Sequence, residues 1–298
     1  MDFLADEGKN RAIREAMEDF PWLDLDGLMV RPAVFHQLTV EAARKQVWHN
    51  HPYWEWTLVR QGTNRYVEKE GGASLSRAPG ETFFMPAGTL HAWEPKKLPL
   101  VLDGFLLEVF PLTGGGATLL EALRADVAKN GFALAVPGAA DFFAELDREI
   151  REKKRYAPRR LRTLATDFLL RLFRAALPGE ASPPPRPPGA QSRLFLLAKD
   201  WIDRELASDP SLAQIGSALG ITPRTLNRIF GEVLGMPCGK YIQERKLMHG
   251  YHLLQTSPAM RIREVARRSG FDDPAYFTRA FTTRFHMAPT LVRDRFLH

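Results

Sequence analysis

One cysteine, Cys238, stands in 298 residues. A lone thiol closes no internal disulfide and builds no thiolate metal cluster, so any metal site must draw on histidine and carboxylates. Long apolar runs are also missing. Nothing approaches the ~18 consecutive apolar residues of a membrane span, and Met1 to Glu7 lack the basic-then-apolar order of a signal peptide. These absences predict a cytoplasmic protein with no membrane partner. The sequence shows no glycine-rich phosphate loop, no Ser/His/Asp set and no nucleophilic cysteine, so no catalytic residue is nominated and the chain is not expected to be an enzyme.

What is present is ordinary globular usage, 45% hydrophobic and 26% charged, with enough length for two domains. The net charge of +6 is unevenly placed. Residues 1–191 hold 25 Lys and Arg against 25 Asp and Glu, whereas 192–298 hold 16 against 10. A basic end beside a neutral one is the asymmetry expected when one module meets a polyanion and the other does not. The stretch from Pro178 to Gln191 carries six of the 22 prolines and reads as a semi-rigid linker. It sets expected domains at 1–178, 179–191 for the linker, and 192–298.

Before the linker, residues 30 to 110 read as short strands separated by Gly and Pro turns, the pattern of a sandwich or barrel. Helical periodicity follows. Leu119, Leu120, Leu123 and Val127 mark one apolar face, Phe142, Phe143, Leu146 and Ile150 a second, and Leu161, Leu164, Phe168 and Leu172 a third. Such faces either cover the sheet or form a dimer interface.

After the linker two segments echo each other about fifty residues apart, 212–230 and 262–281. Each reads as a short helix ended by glycine, then a second helix begun by an N-cap residue and proline, Thr222-Pro223 and Asp273-Pro274. That is the helix-turn-helix outline, and residues around 241–254 read as a longer helix joining the two. On the second helices Leu226, Ile229, Phe230, Phe277, Ala280 and Phe281 are expected inward. Arg224, Asn227, Arg228, Ala275, Thr278 and Arg279 are then left outward at helical spacing. Arginine can bridge guanine O6 and N7, asparagine can bridge adenine, and small apolar groups can meet the thymine methyl in the major groove.

The run from Val265-Ala266 through Gly270-Phe271, Phe277 and Phe281 to Pro289, preceded by Gly235, Tyr241 and Arg245, resembles the signature of the AraC/XylS family of bacterial transcriptional regulators. The resemblance covers about 193–295. It implies two recognition helices entering successive major grooves, with base-reading positions at Arg224, Asn227, Arg228, Pro274, Ala275, Thr278 and Arg279. Three positions depart from the family pattern: Cys238 for proline, Gly250 for alanine and His286 for glycine.

A second constellation lies earlier. His49, His51 and Glu55 share strand parity, so with no bulge between them they can point into one cavity, where a neighbouring strand can add His91. Three imidazoles and a carboxylate suit one divalent transition metal, Zn, Fe, Mn or Ni. These residues with Gly62, Gly80, Pro86 and Gly88 resemble the two motifs of the cupin superfamily, with Ala43 and Pro95 departing from it. The alternative reading is plain pocket lining.

The expected fold class is therefore α+β: an N-terminal cupin-like β-barrel with helical dimerisation elements, then an all-α domain of two helix-turn-helix units. The expected function is a regulator of transcription that binds double-stranded promoter DNA, responds to a small-molecule effector, acts as a homodimer and, where it activates, meets RNA polymerase. The alternative is a metal-dependent cupin enzyme fused to a DNA-binding domain.

Overall fold

A computed structural model describes residues 20–42, 48, 50–51, 53–68, 74–177, 189–257 and 259–297. The chain forms two compact units, Phe3–Pro185 and Arg186–His298. Most of the expected linker, with His49 and Ala43, lies outside the described residues.

The first unit is built on an antiparallel sheet of β1 (Leu23–Leu25), β2 (Leu28–Val40), β3 (Trp54–Glu68), β4 (Ser74–Arg77), β5 (Thr82–Met85) and β6 (His91–Pro111). The order is β1-β2-β6-β3-β4, with β5 also on β3. Two strands are much longer than the sequence suggested, because Gly62, Pro95 and Pro99 bend the chain where turns were expected. Register irregularities in β3 cluster between Val59 and Asn64. Gly62 has φ +78°, and a Cβ there would come within 2.4 Å of the Lys97 carbonyl oxygen, so only glycine fits this bend.

The bend closes the sheet over itself. Glu55 lies opposite Leu106 and Glu68 opposite His91. A straight strand would separate Glu55 from Glu68 by about 43 Å. Yet Glu55 and His91 side chains meet at 3.4 Å, so the far half of the β3–β6 ribbon folds back across the near half. The result is a barrel-like enclosure.

Helices α1 (Gly114–Lys129), α2 (Ala139–Glu152) and α3 (Ala157–Ala176) cover one face of that sheet. Thr113 starts α1 by accepting the Gly116 N–H at 3.1 Å. Phe143 and Phe168 pack on Trp56, with ring centroids 6.0 and 4.9 Å away, and Phe168 stacks on Phe105 at 5.7 Å. Burying an aromatic side chain contributes roughly 4–6 kcal/mol as an upper bound. The apolar faces of α2 and α3 are thus spent on their own sheet, and any contact with a second copy must use other surface.

The second unit is helical throughout: α4 (Ala190–Glu205), a 3-10 turn (Leu206–Ser208), α5 (Leu212–Leu219), α6 (Pro223–Leu234), α7 (Cys238–Thr256), α8 (Ile262–Arg268), α9 (Pro274–Phe285) and α10 (Pro289–Leu297). Ala190 and Gln191, placed in the linker by sequence, already form the first turn of α4. Both are good helix formers and nothing after Gly189 interrupts them. The pairs α5–α6 and α8–α9 are the two helix-turn-helix units, and α7 joins them.

The candidate DNA interface and the polar interior of the first unit

Both second helices begin as their sequences dictate. The Thr222 hydroxyl accepts the Thr225 N–H at 3.2 Å and the Asp273 carboxylate accepts the Ala275 N–H at 2.8 Å, each with proline at the first helical position. Gly220, at φ +67°, ends α5 in the left-handed region. Leu226, Ile229 and Phe230 on α6, with Phe277 and Phe281 on α9, are buried. Ala280, expected inward, is only partly covered. This fixes which side of each helix faces out.

Arg224, Asn227 and Arg228 on α6, with Pro274, Ala275 and Arg279 on α9, are exposed, and Thr278 is half-buried. Arg228 pairs with Glu232 one turn on, at 2.9 Å, and the Arg279 guanidinium lies 4.0 Å from Asp273. Such exposed pairs contribute little and open readily to a phosphate or a base. The Thr278 hydroxyl donates to the Pro274 carbonyl at 2.9 Å, which leaves its methyl as the group for an outside contact.

Asn227 also has a partner within the protein. Its Oδ1 accepts the Cys238 N–H at 3.0 Å, at the start of α7. A bidentate adenine contact needs both ends of the amide. One lone pair of the amide oxygen thus supplies the acceptor that the first turn of α7 lacks, since Pro237 at its N-cap has no side-chain hydrogen bond to offer.

Helix α7 holds the two helix-turn-helix pairs together. Lys246 is buried, and its ammonium donates to the Gly270 carbonyl at 2.7 Å while binding the Asp209 carboxylate. It thereby ties the entry to α5 to the turn between α8 and α9. Arg245 reaches Asp203 at 2.8 Å, and Lys199 reaches the same carboxylate at 3.0 Å. The residues that depart from the family pattern fit locally. A Cβ on Gly250 would stand 2.7 Å from the Phe277 ring, so glycine lets α7 approach α9 closely. His286 caps α9 at φ +56°, a conformation histidine tolerates better than most residues. Cys238 is buried, and burial pushes its thiol up to about 12, which makes it a packed side chain and no nucleophile.

In the first unit the structure brings together three of the four nominated ligands. His51, Glu55 and His91 offer ligand atoms within 4.8 Å of one another. His51 Nδ1 lies 3.0 Å from the Tyr53 carbonyl and His91 Nδ1 lies 2.9 Å from the Thr89 carbonyl. A carbonyl only accepts, so both Nδ1 atoms carry hydrogen. In neutral rings both Nε2 lone pairs then face Glu55 Oε2, at 3.1 and 3.4 Å. Three acceptors converge on one point, which asks for a positive charge there. The Thr57 hydroxyl donates to Glu55 Oε1 at 3.1 Å and so turns Oε2 toward the imidazoles. Burial alone would raise the Glu55 carboxyl, but with a proton on each Nε2 His51 and His91 more than offset it and hold it well below the usual carboxylate range, a place that a cation between them would take.

Sequence reasoning missed the groups around these ligands. Tyr66 stacks near His91, with centroids 6.2 Å apart, and burial together with the Glu55 charge raises its phenol well above its ordinary value. Tyr66 therefore stays a donor. Asn64 beside it is fully buried, and its amide has no hydrogen-bond partner among the described residues. Thr57 was legible from its parity with Glu55. Asn64 and Tyr66 were not, because the irregularities after Val59 flip the alternation.

A helix-turn-helix domain family matches residues 215–295. The transcriptional activator RhaR of Yersinia pestis is 25% identical over 254 residues, 84% of this chain and 85% of that protein. The transcriptional activator AarP of Providencia stuartii is 31% identical over 93 residues, 31% of this chain and 68% of that protein. The structure of ToxT from Vibrio cholerae superposes on 91% of this chain and 100% of that one, with a TM-score of 0.50 at 11% identity, a likeness of fold. Taken with the doubled helix-turn-helix geometry, these relatives place the chain in the AraC/XylS family of transcriptional regulators.

Proposed function

We propose that this regulator reads promoter DNA through α6 and α9, with Arg224 and Arg228 from the first helix-turn-helix and Pro274, Ala275, Thr278 and Arg279 from the second. The observation that carries the reading is the pair of exposed, capped helices held on α7 by buried Lys246. Cationic and small apolar groups face outward on both, which suits guanine edges and thymine methyls. RhaR and AarP are transcriptional activators, which supports RNA polymerase as a further partner. Selection of bound duplexes from a random pool by the full chain tests this: a two-part motif with elements about 10 bp apart is expected. Recovery of no preferred sequence would overturn it.

The enclosure in the first unit is read as the effector site, cupin-like in its motif residues. His51, Glu55 and His91 would hold one divalent transition metal. The support is the pair of Nδ1–H donors tied to carbonyls, the usual second contact of a metal-bound imidazole, and the ionised carboxylate between the rings. His49 is the fourth ligand expected from sequence. The ion would supply a Lewis-acidic point for an oxygen-bearing small molecule. Tyr66 and Asn64 would meet the rest of the ligand as donor and amide. An effector acts on DNA binding only through unequal affinity for two arrangements of the protein, and a homodimer supplies them. Elemental analysis of tag-free protein, with titration by Zn, Fe, Mn and Ni, tests the metal: one ion per chain is expected, and none at all would leave the cluster as interior lining.

A further inference from the structure

The first unit is neutral in sum, yet its charge is segregated. Residues 151–160, which join α2 to α3, hold six Lys and Arg against one Glu. Apart from half-buried Ala157, every residue of this tip is exposed. Lys154 pairs with Glu152, and Arg160 pairs with Glu145. Among the described residues no carboxylate lies within ion-pair distance of Arg151, Lys153, Arg155 or Arg159.

The tip is also shaped. Lys153 and Tyr156 both adopt left-handed backbone, at φ +47° and +70°, a costly conformation for side chains of that size. The turn projects the Tyr156 ring, 57% exposed, with the Arg155 and Arg159 guanidiniums 4.9 and 5.7 Å from its centroid. The ring holds the two guanidiniums near one another despite their repulsion.

We infer that this tip is a second DNA contact, which grips the phosphate backbone without reading sequence. It rests on the reading of the chain as a DNA-binding regulator and adds a surface outside both helix-turn-helix units. Clustered cations without carboxylate partners fit a polyanion, and guanidiniums fit phosphate oxygens in particular. An acidic protein would fit less well. Protein interfaces centre on an apolar core, whereas here Ile150 and Leu161, on either side of the tip, are buried and Tyr156 is the one large exposed apolar group.

The test measures binding of the full chain to a duplex of arbitrary sequence across a salt series. Each phosphate contact contributes about 0.9 to the slope of log K against log salt. Replacing Arg151, Lys153, Arg155 and Arg159 together with Gln should lower that slope by about 2–3 and weaken low-salt binding about tenfold or more. All four are exposed, so the fold should survive, as an unchanged thermal transition would show. Arg151→Lys, Arg155→Lys and Arg159→Lys together should keep most of the slope. A second variant removes the same charge elsewhere in the first unit, at exposed Lys97, Lys129, Arg171 and Arg174. It should leave the slope near the wild-type value. An equal loss in both variants would mean net charge alone and overturn the proposal. An unchanged slope in the tip variant would also overturn it and point to an acidic protein. Wild-type protein that binds no duplex at low salt would remove the DNA reading itself.

Discussion

At the scale of single residues the polar interior of the first unit carries the sharpest chemistry. Glu55 keeps its charge although buried, because His51 and His91 outweigh the burial that would raise it. Its folded pKa is depressed, so its contribution to stability is present above the ordinary glutamate range and is lost as pH falls through the folded value. A metal between Glu55 and the imidazoles must compete with protons for its ligand atoms, so affinity should fall as pH falls. Titration of the ion at several pH values reads this directly. His51→Ala should abolish stoichiometric metal and the stabilisation expected of the wild type with saturating metal, about 2.7 kcal/mol at a hundredfold excess over Kd. A variant that still binds one ion per chain would remove His51 from the ligand set. Gly250 makes a different prediction. Helix propensity favours alanine by up to ~1 kcal/mol, but the added methyl would meet the Phe277 ring at 2.7 Å. Overpacking of this kind costs about 1–3 kcal/mol, so Gly250→Ala should destabilise the second unit in urea unfolding, although alanine is what the family pattern supplies.

At the scale of elements, α6 and α9 were legible in the sequence almost to the residue. An N-cap before proline, a glycine stop and a 3.6-residue apolar stripe all depend on local chemistry, so Thr222-Pro223, Gly220 and the buried Leu226, Ile229 and Phe230 could be read in advance. The strands were less legible. A glycine or proline between two apolar runs signals a turn and a bend equally, and only the pairing of β3 with β6 decides between them. Asn227 shows the same limit on a helix, since spacing puts it outward but cannot reveal the Cys238 N–H that waits for its oxygen. The helices therefore divide their residues by expected outcome. Arg228→Ala or Arg279→Ala should cost about 1–3 kcal/mol at one base position and relax preference there, with the two positions about 10 bp apart. Asn227→Ala should instead cost about 1 kcal/mol of folding stability by leaving an amide without its acceptor, and weaken binding evenly across sequences. Footprints and unfolding curves on the same variants separate the two. Arg228 and Arg279 effects at one and the same base pair would sink the two-groove arrangement.

At the scale of the whole molecule the two units differ in what their charge does. The balance of 25 against 25 over residues 1–191 suggested that the first unit ignores DNA, yet a sum hides where charges stand, and the structure gathers six cations at one turn. The second unit spreads its excess over the five helices α6 to α10 and joins its halves through α7, so it should fold without the first. A fragment of residues 189–298, which keeps all of α4, should bind duplex DNA with strong salt dependence and remain monomeric. The full chain should bind more tightly for two separable reasons. Dimerisation through the first unit would raise the effective concentration of a second DNA-binding unit, a gain that appears only on duplexes carrying two sites. The cationic tip would add affinity on any duplex, including one with a single site. Sedimentation of both proteins, followed by titration against one-site and two-site duplexes, distinguishes these contributions. A full-length chain that sediments as a monomer would remove the dimer, and the surplus affinity of the full chain on a one-site duplex would then belong to the tip alone.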